Sequence, residues 1–146
     1  MMEPLKIVID TNVLVCALRS KRGASFRLLS LIDSGKFITN ISVPLVYEYE
    51  QVLKKMQWPG KPSFQYISDI LDYICAVGQK WKIYYLWRPK LSDPNDEMIL
   101  ELAVTSQSKF IITYNKSDFR EAKEFGISVI NPFEFLKKLE VKNEHN

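Results

Sequence analysis

The segment Leu5-Lys6-Ile7-Val8-Ile9 is short, β-branched and almost continuously apolar, and it passes through Asp10-Thr11-Asn12 into Val13-Leu14-Val15-Cys16-Ala17-Leu18 without a turn. A strand this apolar is covered on both faces, as in a parallel sheet between layers of helix. The rest of the chain repeats the arrangement. A loop at Arg19-Ser20-Lys21-Arg22-Gly23 leads to a helix over 24–34, closed by Gly35, and then a strand over 37–41. Ser42 caps a helix over 43–57, whose stripe is Leu45, Tyr49, Val52, Leu53 and Met56. After Trp58-Pro59-Gly60-Lys61-Pro62 come a helix over 63–77 and a strand over 82–86. Ser92-Asp93-Pro94-Asn95 opens a helix to 107, and a strand follows over 110–113. A short helix over 117–125, with Gly126 at its C′ position, precedes a strand over 128–130 and a closing helix from Asn131-Pro132. Strands alternating with helices, and no tandem strands, give an α/β/α sandwich with a central parallel sheet.

At 146 residues the chain is one domain, spanning 1–140, with a polar tail over 141–146. The net charge of +3 is too small to diagnose a nucleic-acid partner. The single histidine, His145, sits in the tail, which rules against a His-based triad or a His-rich zinc site. Cys16 and Cys75 lie far apart among apolar neighbours, as buried thiols of a reducing compartment do. Neither a membrane span nor a signal peptide is visible, so a soluble cytoplasmic protein is expected. Catalysis, if present, rests on carboxylates, hydroxyls, lysines or a metal.

In parallel α/β sheets ligands bind beyond the carboxyl ends of the strands. Asp10 stands there, with Thr11 and Asn12 beside it, although an N-cap role would also explain it. Asp93 is an ordinary cap with Pro94 behind it. Asp96 falls on the inward face marked by Ile99, Leu102 and Ala103, with Glu97 and Glu101 on the opposite side. An inward carboxylate must be paired or metal-bound. Glu48 and Glu50 flank the stripe of their helix, and periodicity does not choose between them; Glu50 has Lys54 one turn on, whereas Glu48 has no such partner. Thr113-Tyr114-Asn115-Lys116-Ser117-Asp118 follows the strand over 110–113, with Ser117 as the expected N-cap and Asp118 at N1. Oxygen groups from several strand exits would repel one another unless a cation neutralised them, and a hard cation such as Mg²⁺ or Mn²⁺ fits such a set. Such an ion activates water and polarises phosphoryl oxygens, which points to phosphodiester hydrolysis.

Four segments in order, Val8-Ile9-Asp10-Thr11-Asn12-Val13-Leu14, Pro44-Leu45-Val46-Tyr47-Glu48, Asp93-Pro94-Asn95-Asp96 with Leu100-Glu101-Leu102-Ala103, and Ile111-Ile112-Thr113-Tyr114-Asn115-Lys116-Ser117-Asp118-Phe119, resemble the PIN-domain ribonucleases. The resemblance is to the VapC-type toxins of toxin–antitoxin pairs and extends over residues 5–135. It implies a Mg²⁺- or Mn²⁺-dependent endoribonuclease with one or two ions. By motif position it matches Asp10, Glu48 and Asp96 to the family's metal-binding acids, and so selects Glu48 over Glu50. Thr11, Asn12 and Thr113 match polar groups lining such pockets. Asn115 stands where many relatives carry Asp, which weakens a second metal position; Asp118 compensates, since other members place an acid there. The family further implies an RNA substrate, a homodimer and a small antitoxin partner. The alternative kept open by Asn115 is a weakened PIN module that binds RNA or protein without cutting.

The aromatic run Trp81, Ile83, Tyr85 and Trp87 is expected on one strand face, used for core or dimer packing. The Arg19–Arg22 cluster reads as a solvated loop, about 12 Å along the first helix from Asp10.

Overall fold

The computed structural model describes residues 3–83 and 93–144. In chain order the elements are β1 (Leu5–Ile9), α1 (Thr11–Arg19), α2 (Ala24–Ser30), β2 (Phe37–Ile41), α3 (Val43–Lys55), α4 (Phe64–Val77) and β3 (Gln79–Lys80). Then follow α5 (Pro94–Thr105), β4 (Phe110–Ile112), a 3₁₀ segment (Lys116–Phe125), β5 (Ser128–Ile130) and α6 (Pro132–Glu144). The strands form one parallel sheet in the order β3-β2-β1-β4-β5. The chain winds outward from β1 through β2 to β3, then returns to the other side of β1 for β4 and β5. The order therefore reverses between β1 and β4, where Ile9 pairs with Ile112. That reversal opens a crevice at the carboxyl ends of the two strands.

Burial follows the apolar pattern. Ile7, Val8, Ile9, Ile111 and Ile112 are almost fully enclosed, as a strand covered on both faces requires. Phe135 of α6 meets Phe37 and Phe110 edge-on, with centroids 5.3 and 5.7 Å away. Leu45, Tyr49 and Leu53 of α3 are buried, as are Ile99, Leu102 and Ala103 of α5. Helix starts are chemically marked. Ser42 accepts from the Leu45 N–H, Ser63 from that of Tyr66 and Asp93 from that of Asn95. Each cap contributes about 1 kcal/mol. No described helix is long and apolar enough to cross a membrane.

Several local expectations are corrected. α2 ends at Ser30 rather than 34, because Leu31, Ile32 and Ser34 bond back three residues and tighten the chain into turns. Gly35, at φ 82°, then reverses it toward β2. The strand expected over 82–86 begins earlier, at Gln79–Lys80, where the end of α4 delivers the chain beside Asn40 and Ile41. Its part beyond Ile83 lies outside the described residues, as do Tyr85 and Trp87 of the aromatic run. Glu97 is buried and Glu101 partly so, not turned to solvent. The reason is that α5 packs at once on the sheet, on α3 and on the 3₁₀ segment, so more than one of its faces is covered. The helix expected from Ser117 is a 3₁₀ segment beginning at Lys116, with Asn115 in the cap position. It kinks at Phe119 (φ −121°), whose ring is buried. Gly126 closes it in the left-handed conformation, φ 73°. α6 carries helical backbone through Glu144.

One buried polar chain has no counterpart in the hydrophobic pattern. Asn40, fully enclosed in β2, donates to Ser108 Oγ at 2.9 Å and accepts from Trp81 Nε1 at 2.7 Å. Ser108 Oγ lies 2.6 Å from Ser106 Oγ. These bonds tie the strand edge to the loop before β4. Asn40→Ala removes both partners' bonds and leaves a void, so urea denaturation should register a loss of about 2–4 kcal/mol. A loss below about 0.5 kcal/mol would mean that water replaces the amide without cost.

Candidate active site

The crevice between β1 and β4 is built by residues that end strands. The Asp10 N–H completes the ladder to the Ile112 carbonyl at 2.9 Å, so Asp10 is held at the last rung. Its side chain caps α1, accepting from the Thr11 N–H at 2.7 Å on Oδ1. Oδ2 accepts from the Thr113 hydroxyl at 2.7 Å and the Asn12 amide at 3.3 Å. The cap reading and the site reading of Asp10 thus both hold, one on each carboxylate oxygen. Thr113 sits directly beyond β4 with its N–H on the Ile130 carbonyl. Its hydroxyl also accepts from the Asn12 amide at 3.3 Å and from the Asn115 N–H at 3.0 Å.

α3 supplies Glu48 from the side. Tyr49, buried one residue on, donates its hydroxyl to the Ile9 carbonyl and so pins this turn of α3 to the end of β1. Glu48 Oε2 then accepts from Thr11 Oγ1 at 2.8 Å. Glu50 turns instead to Lys54, 3.4 Å away, in the expected helix-surface pair. Tyr49 was legible only as part of an apolar stripe; its hydroxyl is what sets the position of its neighbour. Burial and the charges of Asp10 and Glu48 push that hydroxyl's pKa well up, so it remains a donor.

The electrostatics bind the acids into one group. Asp10 is 7% exposed, and its pKa is raised to about 6. Burial is the main cause; the hydrogen bonds from Thr113 and Thr11 oppose it, while Glu48 and Asp118 add to it. Asp96, in the first turn of α5, is raised to about 7. Burial leads again, followed by the charges of Asp93, Asp10, Asp118 and Glu48. Asp118 is exposed on the 3₁₀ segment, with its N–H on the Asn115 carbonyl at 3.1 Å. Asp10, Glu48, Asp96 and Asp118, from four separate elements, therefore share one negative region. Among the described residues no three Asp, Glu, His or Cys side chains stand close enough to form a ready ion cage. Uncompensated like charges are nevertheless what a cation site looks like before the cation arrives, and every donor here is oxygen. The residues fit a hard divalent ion.

The Arg19–Arg22 cluster lies at the other end of α1 and is exposed. It is more ordered than a free loop: Arg19 stacks over Trp58 at 5.3 Å and Lys21 over Tyr66 at 5.8 Å. A cleft of about 370 Å³ beside it, lined by Leu18, Lys21, Phe26 and Tyr66, contains none of the site acids.

Solved structures with this fold include VapBC2 from Rickettsia felis bound to a DNA fragment from their promoter. The likeness has a TM-score of 0.60 at 14% identity, over 87% of this chain and 98% of that one. FitAB bound to an IR36 DNA fragment matches with a TM-score of 0.59 at 20% identity, over 86% and 94% of the two chains. FitAcB from Neisseria gonorrhoeae matches with a TM-score of 0.57 at 18% identity, over 87% and 98%. No curated protein matches the chain. The family model described as PIN domain matches residues 6–117, which takes in the ends of β1 and β4 together with Asp10, Glu48, Asp96 and Thr113; the chain belongs to the PIN domain family.

Proposed function

We propose that this protein is a Mg²⁺- or Mn²⁺-dependent endoribonuclease, the toxin of a pair that a small antitoxin neutralises. The observation that carries the reading is the buried, cross-linked Asp10 at the strand reversal, whose charge is raised in cost by Glu48 and Asp118. Asp10, Glu48, Asp96 and Asp118 would hold one or two ions. Such an ion supplies an activated water and a polarised phosphoryl oxygen when bound. Thr113 and Asn12 fix the Asp10 carboxylate through Oδ2, and Thr11 fixes Glu48. These bonds keep oxygen lone pairs aimed in constant directions and spare reorganisation during the reaction. Asn115 offers an amide oxygen but no charge at the rim. The toxin role is supported by the fold shared with VapBC2 and FitAB chains, both solved on DNA. A homodimer in the cytoplasm completes the proposal.

The second reading, a module that engages RNA or a protein without cutting, rests on Asn115 itself. Its side chain makes no capping bond, and it adds no charge where a carboxylate would strengthen ion binding.

Asp10→Asn keeps the shape and a capping oxygen but removes the charge. RNA cleavage in Mn²⁺ should fall by about a hundredfold or more, while the folded protein without metal melts no lower than wild type at alkaline pH. Full cleavage by that variant, purified free of host nuclease, would sink the enzyme reading. Wild-type binding of RNA without cleavage across several divalent ions would favour the module.

pH supplies an independent check. Asp10 at about 6 and Asp96 at about 7 lie above the ordinary 3.8, so in metal-free protein the folded state keeps protons that the unfolded chain has lost. Stability from these groups is therefore greatest below about pH 4 to 5 and is lost as pH rises through 6 and 7. Mn²⁺ should reverse the trend by replacing the protons. Its thermal stabilisation should be large near pH 8 and nearly absent near pH 5, measured by differential scanning fluorimetry in EDTA and in Mn²⁺. Equal stabilisation at both values would count against a carboxylate ion site.

A further inference from the structure

Tyr114 follows Thr113 at the mouth of the crevice and is 44% exposed. A single exposed aromatic is ordinary, but this one is tied at both ends. Its N–H donates to Asn12 Oδ1 at 3.3 Å, and the Asn12 amide donates in turn to Asp10 Oδ2 at 3.3 Å. Its hydroxyl lies 2.6 Å from the Oγ of Ser25, a buried residue of α2. The ring is thus satisfied at its polar end and held one residue from the group that bonds Asp10. Lys116, two residues on, is already committed to Glu134 at 2.5 Å, so its charge is partly spent within the protein. The aromatic surface of Tyr114 has no comparable use in the fold, since the phenol and the backbone carry all of its printed bonds.

We propose that Tyr114 is a substrate-binding residue that stacks an unpaired nucleobase beside the phosphodiester at Asp10, so that the site takes RNA as a single strand. This rests on the ribonuclease reading above. Every base has a π-face, so a stacking platform selects for an unpaired base rather than for a sequence. A base kept in a duplex is already stacked and cannot reach the ring without being extruded. Pinning the ring in advance through Ser25 and Asn12 lowers the ordering that binding must impose. Ser25 is then a positioning residue, acting through the tyrosine and not on the RNA.

The test uses the full chain with a short fluorescein-labelled single-stranded RNA and the same RNA annealed to its complement. In EDTA, Tyr114→Ala should weaken single-strand binding by about tenfold, as loss of one base–aromatic stack does, and leave duplex binding unchanged. Tyr114→Trp, which keeps a π-face, should stay within about threefold of wild type. Ser25→Ala should fall between them. In Mn²⁺ the KM of Tyr114→Ala for the single strand should rise by about the same factor while kcat stays within about threefold, whereas a disturbed ion site would lower kcat. Equal single-strand binding by wild type and Tyr114→Ala, at matched melting temperature, overturns the stacking role and leaves the ribonuclease reading intact. A wild type that neither binds nor cuts RNA overturns both.

Discussion

The Thr113 hydroxyl bonded to Asp10 Oδ2 joins the ends of β1 and β4, and the crevice takes its shape from that contact. The two strands are neighbours because the chain reverses direction across the sheet between them. On one side of the contact Asp10 starts α1; on the other, Thr113 accepts from Asn115 and so launches the 3₁₀ segment that carries Asp118. α3 is brought to the same place by Tyr49 on the Ile9 carbonyl, and Glu48 follows because it is the next residue. One polar contact at a strand end thus organises three of the segments around it. The fourth, α5, arrives by packing its buried Ile99, Leu102 and Ala103.

Charge is distributed against the average. The net +3 belongs to the whole chain, yet the acids at the crevice raise one another's cost of ionisation. Such a site gains a cation or a proton in proportion to how much water it excludes. Asp10 is the enclosed member, and Asp118 stands at the exposed rim. That gradient from buried to open is what an ion-assisted phosphodiester site in a PIN domain needs: a fixed ligand at the bottom and room for a phosphate above. The same rim carries Tyr114, so charge and aromatic surface occur at one mouth.

Much of this was legible in the chain. The apolar run ending at Ile9 announced a parallel sheet, and Ser42, Ser63 and Asp93 marked their helix starts by chemistry alone. Asp96 was legible as inward-facing because Ile99, Leu102 and Ala103 define its side of α5. Glu97 was misplaced because a helical wheel assumes one covered face, and α5 is covered on several. The 3₁₀ segment was misread as an α-helix from Ser117 because the polar sequence Lys116–Phe125 carries no periodic signal strong enough to give its geometry. Asn40 was invisible for another reason: a buried amide is acceptable only when its partners come from distant segments, here Trp81 and Ser108.

By itself the sequence determined which residues would stand at strand ends, since period, caps and breaks are local properties of the chain. It also determined the chemistry on offer there: oxygen donors, and a histidine only at the chain's end. Only the tertiary structure decided that β4 lies beside β1, which brings Thr113 onto Asp10 across 103 positions of sequence. It likewise decided which of two glutamates on α3 reaches the crevice: Glu48 meets Thr11, and Glu50 pairs with Lys54. Both choices depend on how whole elements pack, and no local periodicity encodes the distance between two strands that the chain visits a hundred residues apart.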